Sequence, residues 1–299
     1  MTEESQSSRA GLLYAVGAFL VWGLSPLYWK LLTEVPAQQQ LAHRILWCAV
    51  LITGILAARR RLRACFEVIT ELKTLATLTA TTFLIGTNWF VYIWSVSTDR
   101  ILHASLGYFI NPLVNVLLGV VFLSESLRPK QKISVGLAAV GVTLMTWRLG
   151  TLPWISLVLA VSFGLYGLLR KTVKAGPEQG LFLETWMLSP LAALYLLQVH
   201  GSAEGGAWGS ADLGLDLLLI GTAVITATPL LWFTHGARRL PLSLVGILQY
   251  IAPTCQFLLA VLVYGEPFDK VRGFAFVFIW AALALFTVDA VASSKRQVR

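Results

Sequence analysis

Long uninterrupted apolar runs, separated by short polar gaps, make up most of this 299-residue chain. An α-helix rises about 1.5 Å per residue, so roughly 20 apolar residues cross a hydrocarbon core about 30 Å thick. The runs do not alternate as the strands of a membrane barrel do. They predict an all-α polytopic membrane protein of ten transmembrane helices, with spans at 11–32, 37–58, 72–95, 102–123, 132–147, 152–169, 180–199, 213–235, 242–264 and 271–292.

Composition supports a membrane environment, since 57% of the residues are hydrophobic and 13% are charged, against about 25% charged in ordinary soluble domains. The net charge of +8 does not indicate a nucleic-acid partner, because Lys and Arg lie in the gaps and not on one folded face. Cys48, Cys65 and Cys255 have no close spacing, so we predict neither a metal site nor a cofactor.

The basic residues are distributed unevenly over the two sets of gaps. Seventeen of the 23 fall in every second gap, counted from the N-terminus, and five fall in the others. Lys and Arg concentrate in cytoplasmic loops. We therefore expect a multi-pass protein of the cell (inner) membrane, surrounded by membrane lipid, with both termini cytoplasmic.

The two halves of the chain match at a single ungapped shift, which predicts a first repeat at 1–148 and a second at 149–299. Five spans per repeat is an odd number, so the second copy enters the membrane from the opposite side. Inverted repeats of this kind are typical of transporters. The shift aligns Trp22 with Phe163, Pro36 with Pro177, Pro112 with Pro253, and Glu125 with Glu266.

Polar residues inside the spans form stripes. Tyr108, Asn111 and Asn115 share one helix face at i, i+3 and i+7, and Asn88 and Tyr92 share another. We interpret the stripes as the wall of a central solute pocket. The alternative is that they join helices through hydrogen bonds. The predicted substrate-binding set is Trp22, Ser25, Asn88, Tyr92, Tyr108, Asn111, Asn115, Tyr166, Trp232, His235, Gln249, Tyr250 and Gln256.

The costliest residues within the predicted spans are His43 and Arg44 in the second and Glu184 in the seventh, because an unpaired charge is unfavourable at membrane depth. One hypothesis pairs Arg44 with Glu184 across the two halves. The other makes Glu184 or His43 a proton relay.

Prolines and span-end carboxylates suggest gates or hinges. Pro26, Pro112 and Pro253 interrupt helical hydrogen bonding, and Glu125 and Glu266 close the fourth and ninth spans. A carboxylate at a helix C-terminus opposes the macrodipole. Glu125 therefore needs a partner, either a base such as Arg128 or the N-terminus of the next helix; the alternative reading is an interfacial loop glutamate.

No nucleotide-binding, zinc-protease or nucleophile-elbow motif is present, so we do not expect an enzyme. A lipid-modifying enzyme would need converging groups, and only His43, His103, Glu184 and His235 are available. A binding or receptor subunit that does not translocate solute is the alternative function, and a homodimer is left open.

Several stretches carry a family resemblance, most specifically HASLGYFINPL, with VWGLSPLYWKLL and LQYIAP. The chain resembles the drug/metabolite transporter superfamily, EamA type, and within it the RarD permease group. The resemblance implies a ten-helix inverted-repeat secondary transporter that moves a small organic metabolite or drug by alternating access. It also implies a cavity between helices 1, 3, 4, 6, 8 and 9.

Overall fold

The computed structural model describes residues 3–97, 101–149, 154–201, 205–209, 212–264 and 270–297. These residues contain helices and connecting turns but no strands. Twelve α-helices follow one another: α1 (Glu3–Trp29), α2 (Ala37–Ala58), α3 (Leu62–Val68), α4 (Leu72–Ser97), α5 (Ile101–Leu123), α6 (Pro129–Leu149), α7 (Trp154–Thr172), α8 (Pro177–His200), α9 (Leu213–Ala237), α10 (Leu242–Leu248), α11 (Ile251–Leu258) and α12 (Lys270–Gln297).

Six helical segments within the described residues are long and apolar enough to cross a membrane. A seventh is added if α3 and the first part of α4 count as one bent span. Two further apolar stretches, Leu242–Leu258 and Gly273–Asp289, are shorter. A helix lies at each predicted span, but the count of ten crossings remains a prediction.

A short helix that the hydropathy pattern did not predict precedes the third predicted span. Helix α3 meets α4 at 103°. In the bend between them, Glu71 accepts a hydrogen bond from Nζ of Lys174 at 2.9 Å, and this bond lowers the pKa of the Glu71 carboxyl. The bend therefore connects to the loop between α7 and α8.

The ninth predicted span is not one continuous helix, and its break lies next to Pro253, which the sequence suggested as a hinge. Helix α10 ends at Leu248, Gln249 and Tyr250 form a turn, and α11 is followed by a π-helical turn at Leu259–Val263. Pro253 has no N–H to donate to the carbonyl of Gln249. That carbonyl instead accepts from the amide of Ala252 at 3.2 Å.

Close helix packing depends on glycines at matched positions in the two halves. Helix α1 packs on α11, and α7 packs on α5. A Cβ added at Gly23 would lie 2.6 Å from Cβ of Cys255, and one added at Gly164 would lie 2.7 Å from Cγ1 of Val114. Each member of the first pair is aligned with a member of the second at the repeat shift.

We predict that Gly23→Ala destabilises the protein by about 1–3 kcal/mol, the usual cost of overpacking a tight interface. The new methyl group would press on Cys255 and on the backbone of Ala252. The midpoint of thermal unfolding in detergent measures the effect. The matched control is Gly54→Ala, which meets nothing within 4 Å and should not lower the midpoint. An equal loss in both variants would contradict the packing argument.

Candidate functional site

A cavity of about 350 Å³ lies between helices of both halves of the chain. It is lined by the C-terminal halves of α1 and α4, the N-terminal halves of α2, α5 and α7, the middle of α9, and the broken segment of α10 and α11. Its volume falls within the usual range for small-molecule sites, about 300–1,000 Å³.

Eleven residues singled out from the sequence line this cavity. The stripes on α4 and α5 contribute because residues at i, i+3 and i+4 share a helix face. The eleven are Trp22, Ser25, Pro26, Arg44, Asn88, Tyr92, Tyr108, Asn111, Gln249, Pro253 and Gln256. Their role in binding a solute remains a prediction.

An amide network forms one boundary of the cavity. Nδ2 of Asn115 donates to Oδ1 of Asn111 at 3.1 Å and to Oε1 of Gln249 at 2.8 Å. Asn111 in turn donates to the carbonyl of Ala160 at 2.6 Å. Asn115 is fully buried and lies behind the cavity wall. It therefore orients two wall residues, one from each half.

The proline in α1 creates a second link between the halves. Pro26 has no N–H for the carbonyl of Trp22 four residues earlier. That carbonyl accepts instead from Oγ of Ser25 at 2.9 Å and from Nε2 of Gln256 at 3.2 Å. The interrupted turn of α1 is thus hydrogen-bonded to α11 at the cavity wall.

The sequence analysis did not assign several wall residues to the site. Thr226 lines the cavity, and its buried hydroxyl has no hydrogen-bond partner among the residues that the structure describes. Its neighbours on the α9 wall, Ile225 and Leu230, are apolar, so no polar stripe marked this face. Lys30 is one of the five basic residues in the less basic set of gaps, and it lines the cavity with its ammonium 3.2 Å from the Tyr264 ring centroid.

Besides Asn115, four more predicted binding residues are not among those that line the cavity. Trp232 packs on Gly17, between α9 and α1, and His235 stacks on Tyr14. The Tyr250 hydroxyl donates to the carbonyl of Phe109 at 3.1 Å. Tyr166 donates to Glu184 at 3.2 Å. Trp232 and His235 therefore lie on a face of α9 that does not line the cavity.

The hypothetical ion pair between Arg44 and Glu184 is not formed. The guanidinium carbon of Arg44 lies 4.3 Å from the Trp89 ring centroid and 5.7 Å from that of Trp29. His43, on the neighbouring face, lines a separate apolar groove between α2 and α8. Helix register, which the repeat shift alone does not define, directs Arg44 inward to the cavity.

The partner of Glu184 is Arg170, whose Nε lies 3.5 Å from Oε1 of Glu184. Arg170 is fully buried and Glu184 almost so. Oε1 of Glu184 also accepts from the Thr81 hydroxyl at 2.7 Å. The guanidinium of Arg170 donates to the carbonyl of Pro177 at 2.9 Å and occupies the space beside Gly180, where any side chain would collide with it. This cluster joins α4, α7 and α8.

One of the two partners predicted for Glu125 was the N-terminus of the next helix. Glu125 does contact a helix N-terminus, but it is that of α10 and not that of α6, the next helix along the chain. Its carboxylate accepts from the amide of Leu242 at 2.5 Å, the amide of Ser243 at 2.9 Å and the Ser243 hydroxyl at 2.6 Å. Negative charge at a helix N-terminus is stabilising. Glu266, its counterpart at the repeat shift, lies outside the described residues.

Further contacts close the end of the bundle that contains Glu125. Nζ of Lys171 donates to the carbonyls of Ala237 at 2.6 Å and Leu240 at 2.5 Å. Arg238 donates to the carbonyls of Val173 and Ala175 at 3.0 and 2.7 Å. Farther from this end, the carbonyl of Pro112 in the middle of α5 lies 2.7 Å from where a Cβ on Gly246 of α10 would be. Helices α5, α7, α9 and α10 are therefore joined on this side.

We predict that Glu184→Leu destabilises the protein by about 3–5 kcal/mol, because it leaves the Arg170 charge buried without its carboxylate. Adding Arg170→Met should restore much of the loss. Thermal unfolding of the two single variants and the double variant measures the coupling. The exposed pair Arg63 and Glu67 is the control, with at most about 1 kcal/mol expected. Additive losses at Arg170 and Glu184 would contradict a structural pair.

Comparison with known proteins agrees with this architecture. The model of the EamA-like transporter family matches the chain twice, over residues 9–147 and 152–288. The chain therefore belongs to the EamA-like transporter family and is a membrane transporter. Within the drug/metabolite transporter superfamily it falls in the RarD group.

Relatives of similar length support this assignment. The chain is 46% identical to the uncharacterized transporter YojE of Bacillus subtilis, with 95% of each chain covered. It is 41% identical to protein RarD of Escherichia coli, over 98% of this chain and 99% of that one. A solved crystal structure, 19% identical, matches at a TM-score of 0.70 over 94% of this chain and 98% of the other. At that identity the likeness shows the fold alone.

Proposed function

We propose that this protein is a secondary transporter that moves a small organic solute by alternating access. The observation that supports this most directly is the cavity, whose wall combines residues from both halves of the chain. Aromatic side chains with a few polar groups suit amphipathic organic ligands. The solute occupies the space between Trp22, Asn111 and Gln249.

The architecture in this proposal is ten crossings in two inverted repeats, divided near residue 148. Two matches of one family model favour it, as does the packing pattern: α1 contacts α9 and α11, while α7 contacts α4 and α5. These two sets of contacts are equivalent, because α1, α9 and α11 correspond to α7, α4 and α5 when the two halves are exchanged. Both termini are cytoplasmic in an inner membrane, in agreement with the distribution of basic residues. A homodimer stays a prediction.

The conformation in this proposal is outward-facing. The cavity extends to Lys30 and Thr33, at the end of α1 assigned to the outside by the positive-inside rule. At the opposite end, Glu125 accepts a hydrogen bond from the N-terminus of α10, and Lys171 and Arg238 donate to backbone carbonyls. These contacts close that end of the cavity. Rocking of one repeat against the other would break these contacts and open the inner side.

We predict that a transported solute raises the thermal midpoint of the purified protein, and that Asn111→Ala and Gln249→Ala reduce this shift. A ligand that binds only the folded state stabilises it by mass action. A panel of amino acids, phenicols and other small metabolites is screened first, and stabilising compounds are then tested for counterflow in liposomes. The control is Trp147→Ala, because the Trp147 side chain is 85% exposed. Binding without counterflow would favour the non-transporting binding subunit.

We also predict that Glu125→Ala loosens the closed end. A hydrogen bond to a charged group contributes about 1.5–3 kcal/mol, so amide hydrogen exchange in the peptide that contains α10 should accelerate about tenfold or more. Hydrogen–deuterium exchange with mass spectrometry measures it. Glu67→Ala, an exposed glutamate in α3, is the matched control. Unchanged exchange in α10 would show that Glu125 does not hold this end closed.

A further inference from the structure

The charged residues on the cavity wall are all cations. Arg44 and Lys30 line the cavity, and no aspartate or glutamate is among its lining residues in the part of the chain that the structure describes. Glu184, the buried carboxylate beside Arg170, is not among the lining residues. Within the described residues, the cavity wall therefore carries positive charge without a carboxylate to balance it.

Among the described residues Arg44 has no carboxylate partner, whereas Arg170 has Glu184 at 3.5 Å. Nε of Arg44 is buried and forms no hydrogen bond within the part of the chain that the structure describes, and the same is true of Nε of Arg170, so the missing carboxylate is what distinguishes Arg44. Its guanidinium stacks near the rings of Trp89 and Trp29 and lies close enough to Tyr92 and Tyr108 to interact electrostatically with them. Aromatic faces attract a cation without using its N–H donors. The Arg44 side chain lines the cavity wall, and its guanidinium forms no hydrogen bond to another described residue.

A guanidinium presents its donors in a planar fork that matches the two oxygens of a carboxylate. An unpaired charge at membrane depth is unfavourable, and residues of this kind mark substrate pathways. A bound carboxylate would supply the missing counter-ion. The rest of the wall, with Trp22, Tyr92 and Phe163, suits an apolar or aromatic body next to that carboxylate.

We infer that the transported solute is a small organic carboxylate whose anionic group binds Arg44 and whose apolar or aromatic part contacts the ring-lined wall. This inference rests on the proposed function and specifies its substrate class. Lys30, near the outer end of the cavity, attracts the same charge during entry. Gln249 and Thr226 hydrogen-bond further polar atoms of the solute.

The test compares molecules that differ only in the acidic group. Phenylacetate is compared with phenylacetamide, and phenylalanine with phenylalaninamide, by thermal shift and by counterflow in liposomes with the full-length protein. We expect each acid to bind at least about tenfold more tightly than its amide, the usual effect of a charge-assisted hydrogen bond. This comparison needs no variant, so it does not depend on how a substitution folds.

Variants then locate the anion site. Arg44→Gln should reduce binding of the acid by about tenfold or more without strengthening the amide, and Arg44→Lys should retain part of the difference because it keeps the charge but not the fork. The control is Arg63→Gln, an exposed arginine in α3, which should bind as the original protein does.

Three results would overturn the inference: equal binding of acid and amide, acid binding unchanged in Arg44→Gln, or no binding of any acid in the panel. Counterflow of an amide or of phenethylamine that is lost in Asn111→Ala would overturn the carboxylate assignment and leave the transporter proposal standing. Absence of counterflow for every member of both panels would count against both.

Discussion

Hydrocarbon offers no hydrogen bonds, so every polar group within the membrane must be satisfied by another part of the chain or by water in a cavity. In this protein many of these bonds connect the two halves. Asn115 in the first half bonds Gln249 in the second, Asn88 bonds Ser162 at 3.0 Å, and Gln256 bonds the carbonyl of Trp22. The polar residues that surround the cavity are therefore also the residues that join its walls.

Two arginines illustrate how the environment separates structural charge from charge available to a ligand. Arg170 has a carboxylate, backbone carbonyls and a glycine that leaves room for it. Such a pair is sensitive to loss of either partner, because the remaining charge stays buried. Arg44 has only aromatic faces and a cavity. Both residues are arginines, and their roles differ because different neighbours from other helices surround them.

Local patterns in the sequence were sufficient for most of the long helices and for the faces of α4 and α5 that line the cavity, because a stripe such as Asn88 and Tyr92 depends only on the period of one helix. They did not predict α3 or the division of the ninth span into α10 and α11. They were not sufficient for residues whose surroundings depend on how the helices pack against one another. Arg170 lies just beyond the predicted sixth span and was counted among the basic residues of the gaps, so its ion pair with Glu184 was not predicted. Helix α9 faces the cavity through Ile225 and Leu230, which have no polar signature, and Trp232 and His235 were selected instead.

The carbonyl of Trp22 has a consequence for how binding and movement are coupled. It has no acceptor role in the helix because Pro26 follows four residues later, and it accepts instead from Ser25 and from the side-chain amide of Gln256, which also lines the cavity. An amide nitrogen carries two N–H groups, so Gln256 can hold this carbonyl and also donate to a solute. A solute bound there would contact the same side chain that joins α1 to α11, so occupancy of the cavity and the position of this hinge would depend on one residue.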